Sequence, residues 1–543
     1  MKKKDIFVSV LALATVLIFG YSLGMLFSYR NFRKQAARLE YVLRMKSNNN
    51  KLSALLTSIE QLYVDSVKVD SIIEKVLPDV LKELDPHSAY FPAEETKESN
   101  DELHGSFSGI GIQFSIQEDT IHVNSVIHGG PSEKVGLQAG DRIVYIDDSL
   151  FAGKKIDSND AVKHLKGPEG SEVKVGILRP GNTDIVDFTI VRGPIPVKSV
   201  DAAYMVNDEV GYIELNKFGE TTYQEMMVGL AALSHQGMKR LVVDLRGNTG
   251  GYLGAAIQIV NEFLPKGQMI VYTEGAHSKY AAEYANGRGR FQDIPMVVMI
   301  DESSASASEI FTGAIQDNDR GLVVGRRSYG KGLVQQPIDF TDGSSIRLTI
   351  ARYYTPSGRC IQKPYGEGED DYSMDLLRRY ERGEFFSEDS IHQNQDLVYT
   401  TRNGRTVYGG GGIMPDHFVP QDTIGYNEYY SQIVRKSLVN KFVLKHVDQN
   451  RSALSSMKEY EEVLGWMKSN GTYSQFLQFV DRNGVKRPGT VPADIVEQLQ
   501  RLLSSNMIYN VMDMQEYLKY INSFDPTVKK ALEVLATSGL SVK

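Results

Sequence analysis

Ser306 stands inside the run Ser304-Ala305-Ser306-Ala307-Ser308-Glu309, 25 positions ahead of Lys331 in Tyr329-Gly330-Lys331-Gly332. A serine hydroxyl is a weak nucleophile at neutral pH and needs a neighbouring base; an amine can serve if it is held neutral. A free lysine, with a pKa of about 10.4, is neutral in roughly one molecule in 2,500 at pH 7, and desolvation can lower that pKa by several units. Together the two residues could form a hydrolase site that needs no histidine. Separately they say little, because Ser and Ala at a helix start cap it and allow close packing, and most lysines are solvated surface charges.

The surrounding pattern supplies elements that could position them. Leu322-Val323-Val324 predicts a buried strand leading into a turn, Gly325 to Gly332, that carries Lys331. Gly211 to Leu215, Leu241 to Leu245 and Met296 to Ile300 predict further apolar strands. Thr221 to Ser234 and Leu253 to Leu264 have helical period, and the serine cluster opens a helix running towards Gln316. Strand, glycine turn Arg246-Gly247-Asn248-Thr249-Gly250-Gly251, helix, strand, serine turn, helix is an α/β layout with its chemistry at the strand ends.

Two other strings resemble catalytic motifs and fail on context. Gly20-Tyr21-Ser22-Leu23-Gly24 spells a nucleophile elbow inside an apolar segment, without the strand and helix that motif requires. Gly325-Arg326-Arg327-Ser328-Tyr329-Gly330-Lys331 begins like a phosphate-binding loop, but Gly332 stands where the magnesium-binding hydroxyl belongs.

A chain of 543 residues is too long for one core. The net charge of −8 without a long basic run excludes nucleic acid as a natural partner. The single cysteine, Cys360, excludes an internal disulfide framework. Met1-Lys2-Lys3-Lys4 precedes an uncharged stretch, Ile6 to Phe27, of roughly 22 residues spanning about 33 Å, enough to cross a bilayer. It runs into Tyr29-Arg30-Asn31-Phe32-Arg33-Lys34 rather than a small-residue cleavage site, which favours an uncleaved anchor over a signal peptide. The basic N-terminal cluster puts that end in the cytoplasm and the bulk of the chain outside it.

Leu39 to Leu84 has helical spacing and closes on the breaker cluster Leu84-Asp85-Pro86-His87-Ser88. From Gly105 to Arg192 short strands alternate with glycine turns: Gly109-Ile110-Gly111-Ile112-Gln113-Phe114, Gly136-Leu137-Gln138-Ala139-Gly140-Asp141-Arg142-Ile143, a helix from Ser158 to Leu165, then strands Glu172 to Arg179 and Asp184 to Val191. This stretch resembles a PDZ domain; the competing reading is a small β-barrel with no ligand. Beyond Tyr426 the pattern is mostly helical, a packing or dimerisation module.

Asp244 to Gly251, Ser304 to Glu309, Tyr329 to Gln335, Tyr353 to Gly358, Leu84 to Ser88 and Gly410 to Asp416 occur in the order found in C-terminal processing peptidases. Over about Asp70 to Pro364 the chain is similar to that family of serine/lysine tail-specific proteases. The resemblance implies an α+β multidomain fold and a serine endopeptidase, with Ser306 as nucleophile, Lys331 as base and Gln335 orienting the lysine. It implies an oxyanion hole of backbone N–H groups, from Ala307 and from Gly250 or Gly251. A PDZ unit would select apolar free C-termini through Gly109, Ile110, Gly111 and Ile112, with Val162 and Leu165 completing the pocket. Metal and cofactor are not required, and the setting is the periplasmic side of a bacterial inner membrane. The implied divisions are 1–5 cytoplasmic, 6–27 transmembrane, 35–103 helical, 104–194 PDZ, 195–425 protease core and 426–543 helical, the helical parts offering a homodimer interface. Lys166 departs from the pattern, since many relatives carry arginine after the corresponding helix. The rival expectation is a catalytically silent scaffold that binds tails, against which stands the presence of Ser306, Lys331 and Gln335 together.

Overall fold

The computed structural model describes residues 51–366, 372–422 and 427–537, together with residues 20, 24 and 25. The apolar stretch 6–27 and the string 20–24 therefore lie almost wholly outside the described residues, among which no helix is long and apolar enough to cross a membrane. The chain divides into two units, Met1–Leu84 and Asp85–Lys543. In the first, two helices, Lys51–Leu62 and Val69–Lys82, follow the helical spacing of that region.

The second unit is built on a sheet of six strands in the order Val200–Met205, Val210–Leu215, Arg240–Asp244, Met296–Ile300, Leu322–Gly325 and His417–Phe418. The first pair is antiparallel and the rest are parallel. Parallel strands are buried on both faces, which explains the continuous apolar runs, and successive side chains alternate between those faces. Leu241, Val243, Val298 and Val323 pack with helices Thr222–His235, Leu253–Asn261 and Ala307–Asp317. Val242, Val297, Met299 and Val324 face the other way, against Val528, Ala531, Val534 and Leu535 of the helix Pro526–Thr537. The helix Pro526–Thr537 thus covers one face of the central sheet.

Residues 85–104 depart from the sequence expectation. Rather than closing a helical segment, they form a strand, Ala89–Phe91, paired with Ser345–Tyr354, and a helix, Ala93–His104. The strand Leu333–Asp339 pairs with Ser345–Tyr354 on another side.

The PDZ-like unit has the strand order Ile112–Gln117, Thr120–Val126, Arg142–Ile146, Glu172–Leu178, Ile185–Val191, and its helix spans Ser158–Leu165 as the spacing predicts. Asp157 caps that helix by accepting from the Asp160 N–H. Six helices, Glu428–Arg435, Leu438–Leu454, Tyr460–Ser469, Thr472–Arg482, Ala493–Val511 and Met514–Asn522, enclose a separate core around Phe442, Phe476, Leu499 and Met507.

The helix Ala307–Asp317, buried along its whole length, is tied down at its far end by a fully buried ion pair. Arg359 donates to Asp317 at 2.8 Å, to Gln316 Oε1 at 2.7 Å and to Tyr408 O at 3.0 Å. Removing one partner leaves a buried charge uncompensated. Arg359→Met is expected to cost about 3–5 kcal/mol in urea unfolding, and a loss under about 1 kcal/mol would show that the pair does not anchor the helix.

Candidate active site

Three loops leave the carboxyl ends of adjacent parallel strands, where open α/β sheets place their ligands. Arg240–Asp244 leads to the turn 246–251, Met296–Ile300 to the serine cluster, and Leu322–Gly325 to the loop of Lys331. The three are stitched together by side chains buried between them. Asn248 donates to Leu215 O at 2.8 Å, and its backbone carbonyl accepts from Ala305 N–H at 3.0 Å and Ser308 Oγ at 2.9 Å. Ser304 Oγ donates to Leu245 O at 2.8 Å. Ser304 and Ser308 thus have structural work, and Ser306 is left facing the cleft.

Ser306 sits at φ +55°, ψ −113°, immediately before the helix Ala307–Asp317. A side chain held at positive φ costs of the order of 1–3 kcal/mol and persists where the surroundings impose it. The constraint is visible: Ser306 N–H donates to Glu309 at 2.8 Å. The same buried carboxylate accepts from Ser328 Oγ at 2.5 Å, Gly330 N–H at 2.7 Å and Lys331 N–H at 2.9 Å. Burial raises the Glu309 pKa, and these hydrogen bonds oppose the rise. Because the Gly330 and Lys331 amides already serve a carboxylate, they cannot cradle a phosphate, and the phosphate-loop string is a coincidence of spelling.

Lys331 Nζ donates to Gln335 Oε1 at 3.0 Å. Gln335 lies in the extended strand Leu333–Asp339, next to a register shift between Val334 and Gln335. Such a bulge re-aims a side chain. Gln335 Nε2 in turn donates to His87 O. The His87 turn is fixed by Asp85, which accepts from His87 N–H at 2.8 Å, Ser88 N–H at 2.9 Å, Ser88 Oγ at 2.6 Å and Thr349 Oγ1 at 3.1 Å. Burial and the neighbouring Lys331 charge push the His87 imidazole down to about 4, so it is neutral at pH 7, and its Nε2 pairs with Tyr372 OH at 2.6 Å.

Burial lowers the Lys331 pKa, and the Arg347 guanidinium lowers it further. Among the described residues no hydrogen bond joins Ser306 Oγ to Lys331 Nζ. The two side chains share a cleft of about 640 Å³ with Gly250, Gly251, Ala307, Gln335 and Arg347. Both glycines are obligatory. A Cβ on Gly250 (φ +104°) would lie 2.8 Å from Ser306 Cβ, and one on Gly251 (φ +141°) 2.2 Å from Phe218 O. Their amides differ: Gly250 N–H donates to Asn248 Oδ1 at 2.9 Å.

The residues expected to bind a tail are only partly open. Ile110 and Leu165 belong to the buried core of the PDZ-like unit, and Gly109 pairs with Gly193 in a two-stranded ribbon. Ile112 and Val162 are half-buried, and Gly111 is a tight turn at φ +77°. Lys166 Nζ lies 4.7 Å from the centre of the Phe107 ring, while Arg192 supplies the guanidinium at that end of the helix, donating to Leu165 O at 3.1 Å and His164 O at 2.8 Å.

Reading the sequence for nucleophile and base missed Glu309, Asp85, His87 and Asn248 as supports. The spacing Ser306-x-x-Glu309 is a helix-capping pattern and could have flagged Glu309. Nothing local marks His87, whose contribution is a backbone carbonyl.

A PDZ-bearing peptidase is the class that the fold and cleft define. Residues 209–372 match peptidase family S41 and residues 108–190 a PDZ domain. Residues 429–513 match a family of unknown function. The carboxy-terminal-processing protease of Bartonella bacilliformis is 38% identical over 305 residues, covering 55% of this chain and 69% of that protein. The carboxy-terminal processing protease CtpB of Bacillus subtilis is 35% identical over 320 residues, 58% of this chain and 65% of that protein. The chain belongs to peptidase family S41, among the carboxy-terminal processing proteases. A solved photosystem II D1 C-terminal processing protease is 26% identical over 56% of this chain and 88% of its own, with a TM-score of 0.33, too low to bear on the fold.

Because Arg347 depresses the Lys331 pKa, removing its charge should raise it. The rising limb of kcat/KM against pH is expected to move to higher pH in Arg347→Gln and to stay in place in Arg347→Lys. An unmoved limb in Arg347→Gln would show that Lys331 is not the titrating base.

Proposed function

We propose that this protein is a membrane-anchored serine endopeptidase that cuts protein substrates near free, apolar C-termini outside the cytoplasm, using Ser306 and Lys331. The observation that carries the reading is a serine and a lysine opening on one cleft, the lysine partly desolvated, depressed in pKa and held by Gln335. Neutral Lys331 takes the Ser306 proton as Oγ attacks the scissile carbonyl. The resulting oxyanion is met by the N–H groups of Ala307 and Gly251, both lining the cleft. Lys331 then gives its proton to the leaving amine, and water hydrolyses the acyl-enzyme by the reverse sequence. Gln335 acts through Lys331 as a positioning residue. Catalytic hydrogen bonds are often loose before substrate arrives, so the ammonium turned towards Gln335 is compatible with a base that meets Ser306 in the substrate complex.

Selection of the substrate falls to the PDZ domain, whose strand Ile112–Gln117 has an unpaired edge on which a tail can add, its carboxylate at the Gly109 to Ile112 loop. The apolar stretch 6–27 and the basic residues before it support anchoring.

Ser306→Ala and Lys331→Ala are each expected to abolish cleavage of an unfolded reporter with an apolar tail while leaving thermal unfolding unchanged; undiminished cleavage in either ends the dyad assignment. Amidating the reporter's C-terminus is expected to raise KM, and an unaltered KM would remove carboxylate capture from the mechanism.

A further inference from the structure

The strand Ile112–Gln117 ends the PDZ sheet, paired on one edge with Thr120–Val126. A peptide that adds to its other edge must alternate its side chains between two sides. When the last residue points towards the helix Ser158–Leu165, the penultimate one points away from it. That far side is not left to solvent. A cavity of about 550 Å³ runs along the strand, lined by Gln113 and Phe114 on one side and by Arg451, Leu454, Tyr509 and Met512 of the C-terminal helices on the other. The two walls are joined beside it. Arg142 reaches Asp448 at 3.7 Å, and Asp448 holds Arg451 at 2.6 Å. Arg451 packs so closely on Gly140 that a Cβ there would come within 3.0 Å of its Nε.

We propose that the C-terminal helical domain is the second wall of the tail-binding site and selects the penultimate residue of the substrate, favouring an apolar one. The proposal rests on the reading that a tail adds to Ile112–Gln117. The chemistry of the wall sets the preference: Val511 and Met512, both half-buried, offer apolar surface, Tyr509, 54% exposed, offers an aromatic face, and the Arg451 guanidinium is already engaged by Asp448. A PDZ domain without this neighbour would leave the penultimate side chain in water and sort substrates by their last residue and carboxylate.

The test uses the full-length protein carrying Ser306→Ala, so that peptides bind without being cut. Fluorescein-labelled peptides ending in free valine and differing only at the penultimate position, leucine or aspartate, are titrated by fluorescence anisotropy. Leucine is expected to bind about tenfold more tightly, the scale of one apolar side chain leaving water. Tyr509→Lys, at an exposed position, is expected to improve the aspartate peptide by about fivefold, and Met512→Ser to weaken the leucine peptide. Equal affinity for the two peptides, or a preference untouched by both substitutions, overturns the proposal. Amidated versions separate it from its foundation: binding that falls on amidation without sorting on the penultimate residue removes the second wall and keeps carboxylate capture. Binding that sorts but ignores amidation keeps the wall and removes carboxylate capture.

Discussion

Glu309 is fully buried, and a buried carboxylate without partners would be driven to take up a proton. It collects instead the Ser306 N–H, the Ser328 hydroxyl, and the N–H groups of Gly330 and Lys331. Satisfying one side chain thereby fixes two loops that are far apart in sequence. The Ser306 turn is pulled into its strained backbone, and the loop of Lys331 is wrapped around the same carboxylate, with Gly330 at φ +92° making the bend. Tyr353 closes the arrangement from the opposite side, its hydroxyl 2.6 Å from Lys331 O and 3.1 Å from Ser306 O. The backbone positions of Ser306 and Lys331 are therefore set by hydrogen bonds to side chains that are themselves buried.

Burial is used in two opposite ways within this small volume. For Glu309 it is offset by hydrogen bonds, and the group serves structure. For Lys331 it is only partly offset: the amide oxygen of Gln335 is a neutral partner, and the Arg347 cation adds to the effect of burial against the weaker pull of Glu309 and Asp85. A carboxylate in place of Gln335 would stabilise the ammonium and raise the Lys331 pKa. The bulge at Val334 and Gln335, and the His87 carbonyl behind it, exist to hold that neutral partner in place.

Much of this was legible in the chain. The strand ends, the helix Ser158–Leu165 and the serine cluster followed from periodicity and glycine punctuation, because burial of local apolar runs dictates them. The difference between the amides of Gly250 and Gly251 could not be read from residue type, since it depends on where Asn248 turns its side chain. The role of Asp85 to Ser88 was hidden for a related reason: the cluster reads as a helix breaker, and its partner strand lies about 260 residues further along. Likewise the helix Pro526–Thr537 was visible as a helix, but an amphipathic pattern does not name the surface it covers.

That last helix has a consequence for how the protein comes into being. Synthesis runs from the amino end, so every strand of the central sheet is made while the face carrying Val242, Val297 and Val324 still lacks its cover. Asp525, at the start of the helix, also grips Arg246, the residue that opens the turn leading to Gly250 and Gly251. The nascent chain thus carries Ser306 and Lys331 long before it carries the brace for the adjoining turn. The stiffness of a turn that borders the cleft depends on an aspartate 279 residues further along the chain.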